Sequence, residues 1–201
     1  MTVFPAESAR TVLSPNRRSR PTFLLIGCAE MEAIPLPPES RFARPIVCRN
    51  LGNVVPPCAD PDGGVAALVD YAIRVLEVRD LVVCGHTSCS AIHALSNAQA
   101  FQGIPTLSSW LRHLRSALNG FDFDPGRTSQ AEIGLQLAEA NVIGQLHHLH
   151  SHPAVLACLA EDKIRLHGWL YDDATGAIRT YSPEHCCFTE GAVAHAATTA
   201  S

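Results

Sequence analysis

Three residues of this chain carry the chemistry needed to hold a soft divalent metal: Cys28, His86 and Cys89. Two thiolates and one imidazole form the donor set that Zn²⁺ prefers. His86 and Cys89 belong to the run Cys84-Gly85-His86-Thr87-Ser88-Cys89, which ends the apolar stretch Leu81 to Cys84. Cys28 ends a second apolar stretch, Phe23 to Ile26, and Gly27 lets the backbone approach closely. Two strand ends therefore offer three ligands, and parallel sheets collect their sites at the carboxyl ends of strands.

The elements that must position these ligands alternate along the chain. Phe23 to Cys28 reads as a strand, the proline-rich Ala33 to Ser40 as a loop and Arg44 to Arg49 as a second strand. Val65, Leu68, Val69, Ala72, Ile73 and Leu76 make the stripe of an amphipathic helix, with Asp60 or Asp62 as its cap. The strand Leu81 to Cys84 follows, completing a right-handed crossover unit, and Ser90 to Ser96 continues as helix. Trp110, Leu111, Leu114 and Leu118 recur at helical spacing, and Ile133, Leu137, Ala140, Ile143 and Leu146 mark a longer helix. Lys163 to Tyr171 alternates like a strand, and Asp172, Asp173 and Gly176 turn it into Ile178 to Tyr181. The expected fold is α/β, a mostly parallel central sheet flanked by helices.

A chain of 201 residues with 47% hydrophobic content suits one compact domain. Residues 21–189 are assigned to it, between an N-terminal arm, 1–20, and a flexible Ala/Thr-rich tail, 190–201. A net charge of −4 argues against a nucleic-acid surface; Arg17, Arg18 and Arg20 read as a solvated cluster on the arm. The start lacks the apolar core of a signal peptide, and no apolar run reaches the ~18 residues of a membrane span. A cytoplasmic protein is expected, and with it reduced thiols for the eight cysteines. Cys84 and Cys158 read as core packing, and the adjacent Cys186-Cys187 pair as packing or surface residues. His147, His148, His150 and His152 read as the end of a helix rather than a second metal site; His93, His167 and Trp169 read as structural.

Five segments, in order, are similar to those of the β-class carbonic anhydrases: Arg49-Asn50-Leu51-Gly52-Asn53, the helix around Asp70-Tyr71-Ala72-Ile73, Cys84 to Cys89, Glu139-Ala140-Asn141-Val142 and His167-Gly168-Trp169-Leu170-Tyr171-Asp172. The resemblance runs from about Cys28 to Tyr181. It implies Zn²⁺ on Cys28, His86 and Cys89, hydration of CO2 to bicarbonate by a hydroxide formed at the zinc, and a homodimer or higher even homo-oligomer.

One segment departs from the family pattern. Where the family has Cys-x-Asp-Ser-Arg, this chain reads Cys28-Ala29-Glu30-Met31-Glu32, and Ser90-Ala91 stands where the family usually has two glycines. In the family the Arg holds the Asp carboxylate off the metal, so that water takes the fourth position. Glu30 keeps a carboxylate with one more methylene, whereas Glu32 reverses the restraining charge. Three roles are open to Glu30: a catalytic base that orients the nucleophile, a fourth zinc ligand that closes the site, or an exposed carboxylate. Arg49 is available as a partner for either glutamate, or as a structural residue. If both glutamates face the metal, the site carries a charge near −2, which opposes loss of a proton from a metal-held water. The activities that follow are CO2 hydration, at full or reduced rate, or a zinc-stabilised pseudoenzyme serving assembly or regulation. A related zinc hydrolase acting on a small carbonyl or thiocarbonyl compound is a third.

Overall fold

A computed structural model describes residues 21–36, 42, 44–58, 63–96, 103–119, 129–193 and 195–197. Strand β1 (Phe23–Cys28) is buried along its whole length, as its unbroken apolar run requires of a strand covered on both faces. It lies between β3 (Pro45–Asn50) and β4 (Asp80–His86), parallel to both. β5 (Arg165–Tyr171) adds to β4 in parallel, and β6 (Ala177–Ser182) and β7 (Cys187–Val193) then run antiparallel. The order is β3-β1-β4-β5-β6-β7. A separate antiparallel pair joins β2 (Ile34–Leu36) to β8 (His195–Ala197).

The pleat of β1 divides the core. Phe23 and Leu25 join a cluster with Val82, Leu111, Leu114, Ile133 and Leu137, whereas Leu24 and Ile26 join Val65, Val69, Ile73, Val142 and Val155. Alternate residues of a strand face opposite sides, so helices must cover both faces. These are α1 (Gly64–Arg74), α2 (Ser90–His93), α3 (Pro105–Ala117), α4 (Gln130–His150) and α5 (Pro153–Ala160). Ser129 and Glu132 form a reciprocal capping box at the start of α4, satisfying two backbone donors that a helix start leaves free. No helix among the described residues is long and apolar enough to cross a membrane.

Every strand and helix expected from the sequence is present, β7 stands where no strand was expected, and four further details differ. Residues 190–193 and 195–197, expected in a flexible tail, belong to β7 and β8, because the open edges of β6 and β2 take up backbone hydrogen bonds whatever the side chains. Ile34–Leu36 is a short strand within the expected loop. Gly63, without a side-chain bond, is the N-cap of α1, and Asp60 and Asp62 lie outside the described residues, as does the arm 1–20. The crossover from β3 through α1 to β4 passes over β1, so its two strands are not neighbours.

Asp80, at the start of β4, is buried and accepts both nitrogens of the Arg165 fork at 2.9 Å and His167 Nε2 at 2.8 Å. Burial alone would raise its pKa; Arg165 and His167 outweigh burial and hold the carboxyl below its usual range. Its contribution to stability is therefore complete above the unfolded carboxyl pKa and lost as pH falls through the lower folded value. Asp80→Asn is expected to cost about 2 kcal/mol at pH 7. Urea melts of the two proteins should converge as pH drops below ~3.9; a gap that persists at acid pH would show that charge is not the cause.

Candidate metal centre

The register of β1 against β4 brings the ligands together. Gly27 pairs with Cys84, so Cys28 and His86 leave neighbouring strands at the same end of the sheet, with Cys89 one turn further along. All three are buried: Cys28 0%, Cys89 1% and His86 2% exposed. One oxygen of Glu30 joins them, and the four ligand atoms lie within 4.8 Å of one another. Among the described residues this is the one such cluster.

The donor geometry suits zinc. Cys28 Sγ and Cys89 Sγ are 3.7 Å apart, and two thiolates at ~2.3 Å from a tetrahedral Zn²⁺ would be separated by about 3.8 Å. His86 Nε2 is sealed from solvent and has no hydrogen-bond partner. A buried polar atom without a partner is costly, and a metal in line with its lone pair would satisfy it. The Cys89 thiol, with weaker help from His86, Glu30 N–H and Gly52 N–H, lowers the Cys28 pKa against burial; the hydrogen bond to Cys28 and then burial raise that of Cys89. The Gly52 N–H lies 3.4 Å from Cys28 Sγ.

That donor is aimed by the loop after β3. Asn50 brackets it through Val54 N–H at 2.6 Å and Val54 C=O at 2.9 Å, and Asn141 Nδ2 of α4 holds Gly52 C=O at 3.1 Å. Gly52 has φ +78°, a left-handed conformation that glycine adopts without strain. The Arg49-Asn50 and Glu139-Ala140-Asn141 segments thus meet behind Cys28, and Glu139 itself pairs with Arg179 at 2.7 Å.

Asp173 is the residue that sequence reasoning missed. His86 pairs with Tyr171 across β4 and β5, so the turn after β5 carries Asp173 past the far side of the imidazole. Its Oδ2 accepts His86 Nδ1–H at 2.9 Å, Ser88 N–H at 2.8 Å and the hydroxyls of Ser88 and Thr87. Burial would raise the Asp173 pKa; the Ser88 bonds and His86 outweigh it and keep the carboxylate ionised. An acceptor on Nδ1–H leaves Nε2 with its lone pair toward the sulfurs, the arrangement common to metal-ligating histidines. Burial works against protonation of His86, yet the Cys28 thiolate and Asp173 raise its pKa. In sequence Asp173 reads only as a turn residue, because its place beside His86 depends on the pairing of β4 with β5.

The glutamates diverge. Glu30 is exposed, and Ser90 binds both of its oxygens, N–H to Oε2 at 2.9 Å and the hydroxyl to Oε1. Glu32 is exposed and outside the cluster, so the second carboxylate near the metal position is Asp173. Arg49 meets neither glutamate; its Nη1 donates to Met31 C=O at 2.7 Å and braces the turn through the main chain.

The remaining candidates are structural. His148 Nδ1–H and His152 Nε2–H donate to the carbonyls of Val55 and Pro56, both at 2.9 Å, and His147 and His150 sit in the last turn of α4. His93 Nε2–H donates to Thr87 C=O at 3.2 Å. His167 belongs to the Asp80 cluster, and Trp169 packs with Phe23 and Phe42. Cys84 is fully buried, Cys158 packs at the edge of the core, and Cys186 and Cys187 are exposed.

A family profile described as carbonic anhydrase matches residues 36–178. His86, Cys89 and Asp173 fall inside that segment, whereas Cys28 and Glu30 lie upstream of it. A carbonic anhydrase of Pseudomonas aeruginosa is 36% identical over 176 residues, covering 87% of this chain and 79% of the relative. The solved β-carbonic anhydrase CcaA superposes with a TM-score of 0.72 at 27% identity, covering 86% of this chain and 78% of that one. A tetrameric β-carbonic anhydrase of Sordaria macrospora gives 0.69 at 26% identity, covering 85% and 83%.

Proposed function

The chain belongs to the β-class carbonic anhydrase family, and on that premise we propose that it catalyses the reversible hydration of CO2 to bicarbonate at a zinc held by Cys28, His86 and Cys89. The observation that carries this reading is the buried, unpartnered His86 Nε2 among two sulfurs spaced as tetrahedral zinc requires. Zinc supplies the Lewis acidity that makes water a nucleophile near neutral pH. Cys28 and Cys89 give up their protons to hold it, and Asp173 fixes the His86 tautomer and ring plane. Glu30, exposed on one side, is the base beside the fourth position, which it leaves to water. As water oxygen bonds to the carbon of CO2, its proton passes to Glu30 and then to solvent, giving bicarbonate and a proton.

The protein is proposed to work in the cytoplasm as a homodimer or higher even homo-oligomer, a state supported by the tetrameric Sordaria relatives. A second reading has one observation in its favour: the Glu30 oxygen lies within 4.8 Å of the other ligand atoms. There Glu30 occupies the fourth position, and the chain is a zinc-stabilised pseudoenzyme with an assembly or regulatory role. Stopped-flow CO2 hydration by zinc-loaded protein, beside the Glu30→Asp, Glu32→Arg double variant, separates the two. A rate clearly above the uncatalysed one is expected from the native sequence. A background rate, restored in the double variant, would overturn CO2 hydration as its function in favour of closure.

A further inference from the structure

We infer that Ser90 is a positioning residue that keeps the Glu30 carboxylate beside the metal position rather than on it. The inference rests on the zinc reading above and takes it one residue further.

Glu30 is long enough to reach the fourth position, and its oxygen is already within 4.8 Å of Cys28, His86 and Cys89. A carboxylate that near a dication needs a restraint to remain unbound. Neither of the residues suited by charge or sequence to that task performs it: Arg49 is engaged with the Met31 carbonyl, and position 32 is an exposed glutamate. Among the described residues no Lys or Arg is paired with Glu30.

Ser90 supplies the restraint with two donors from one residue. Its N–H meets Oε2 at 2.9 Å and its hydroxyl meets Oε1, so the carboxylate is gripped at both oxygens, as by a guanidinium fork, but without a positive charge. Hydrogen bonds to an ionised acceptor are among the stronger ones. Ser90 also follows the ligand Cys89 directly, so the grip moves with the metal site and fixes the carboxylate relative to it. A glycine at 90 would retain only the N–H; the hydroxyl is the part of the device that this sequence adds.

The consequence is a site whose openness depends on a neutral side chain. With Ser90 in place, Glu30 can take up the proton of attacking water through its free lone pairs. With the hydroxyl removed, Glu30 swings to the metal, binding becomes tighter and turnover falls.

The test compares Ser90→Ala, Ser90→Gly and Ser90→Thr with the native protein, by chelator competition for zinc, the visible spectrum of the Co²⁺-substituted protein and CO2 hydration. Ser90→Ala and Ser90→Gly are expected to tighten zinc binding and to lower kcat by about 10-fold to 100-fold, the usual loss of activity when a group around a metal site is removed. Their Co²⁺ spectra should share one altered form. Ser90→Thr, which keeps both donors, should restore native values, and Glu30→Gln added to Ser90→Ala should abolish the tightening. Native protein that binds one zinc while Ser90→Ala and Ser90→Gly leave affinity and spectrum unchanged would overturn the role of Ser90 alone. Weaker binding in Ser90→Ala would overturn it too, by making Glu30 a resident ligand that Ser90 supports. Native protein that takes up no zinc would instead overturn the metal site itself.

Discussion

Cys89→Ala is expected to eliminate stoichiometric zinc binding and to reduce CO2 hydration to the uncatalysed rate, whereas Asp173→Asn retains the metal with affinity and activity lower by about 10-fold to 100-fold. The two differ because they break different links. Cys89 contributes one of two sulfurs 3.7 Å apart in a buried pocket, and no other Cys or His among the described residues joins the cluster to replace it. Asp173 touches no metal position; it holds His86 Nδ1 at 2.9 Å and is itself gripped by Ser88 and Thr87. The amide of Asn can still present an oxygen to the donors that Oδ2 accepts, but that oxygen carries no charge, so the bond that fixes the ring weakens while the ligand atom stays in place. Zinc content after metal-replete purification and chelator competition check both variants, with circular dichroism as the control for folding. Full zinc occupancy in Cys89→Ala would refute the ligand assignment, and native affinity in Asp173→Asn would refute the orienting role.

The largest effect on stability is expected from Gly144→Ala, about 3 kcal/mol of destabilisation, equivalent to a melting temperature lower by about 10 °C for a domain of this size. In an open helix the same change would stabilise by roughly 0.5–1 kcal/mol. Here the added Cβ would lie 2.1 Å from the Ala117 carbonyl oxygen and 2.6 Å from Ala117 Cβ. The obstacle is the backbone of α3, which has no rotamer to change, so α3 and α4 must separate. Separation would also reach the metal centre, because Leu114 of α3 packs over Gly52, whose N–H is directed at Cys28. Gly64→Ala is the matched control, since nothing lies within 4 Å of its Cβ position; it should be neutral or slightly stabilising. Thermal melts of the three proteins suffice, and an unchanged melting temperature in Gly144→Ala would show that the helices yield at little cost.

Much of the site is legible in the amino-acid sequence because its determinants are local. Two thiols and an imidazole suggest a soft divalent metal by their type, and the apolar runs before Cys28 and His86 place both at strand ends. The helical stripes at 65–76 and 133–146 likewise follow from periodicity, which any segment carries within itself. Five family-like segments in order then identify the arrangement to which these pieces belong.

What surrounds the metal position was legible only in part, because it depends on pairings between distant segments. The charge of Glu32 suggested a second carboxylate at the site, but its exposure removes it, and Asp173 takes that place through the register of β5 on β4. Arg49 had a charge suited to the glutamates, yet the turn after β1 offers it the Met31 carbonyl instead. Residues 190–193 and 195–197 lack a strand-like composition and pair nonetheless, since an open sheet edge selects for backbone geometry rather than side chains. That Cys28, His86 and Cys89 are suited to hold a metal, and the fold that brings them together, can be read from the chain alone, because residue chemistry and hydrophobic period are its own properties. Which carboxylates attend them, Asp173 on His86 and Glu30 on Ser90, follows from contacts between distant segments, because a hydrogen bond across strands exists only once the register between them is set.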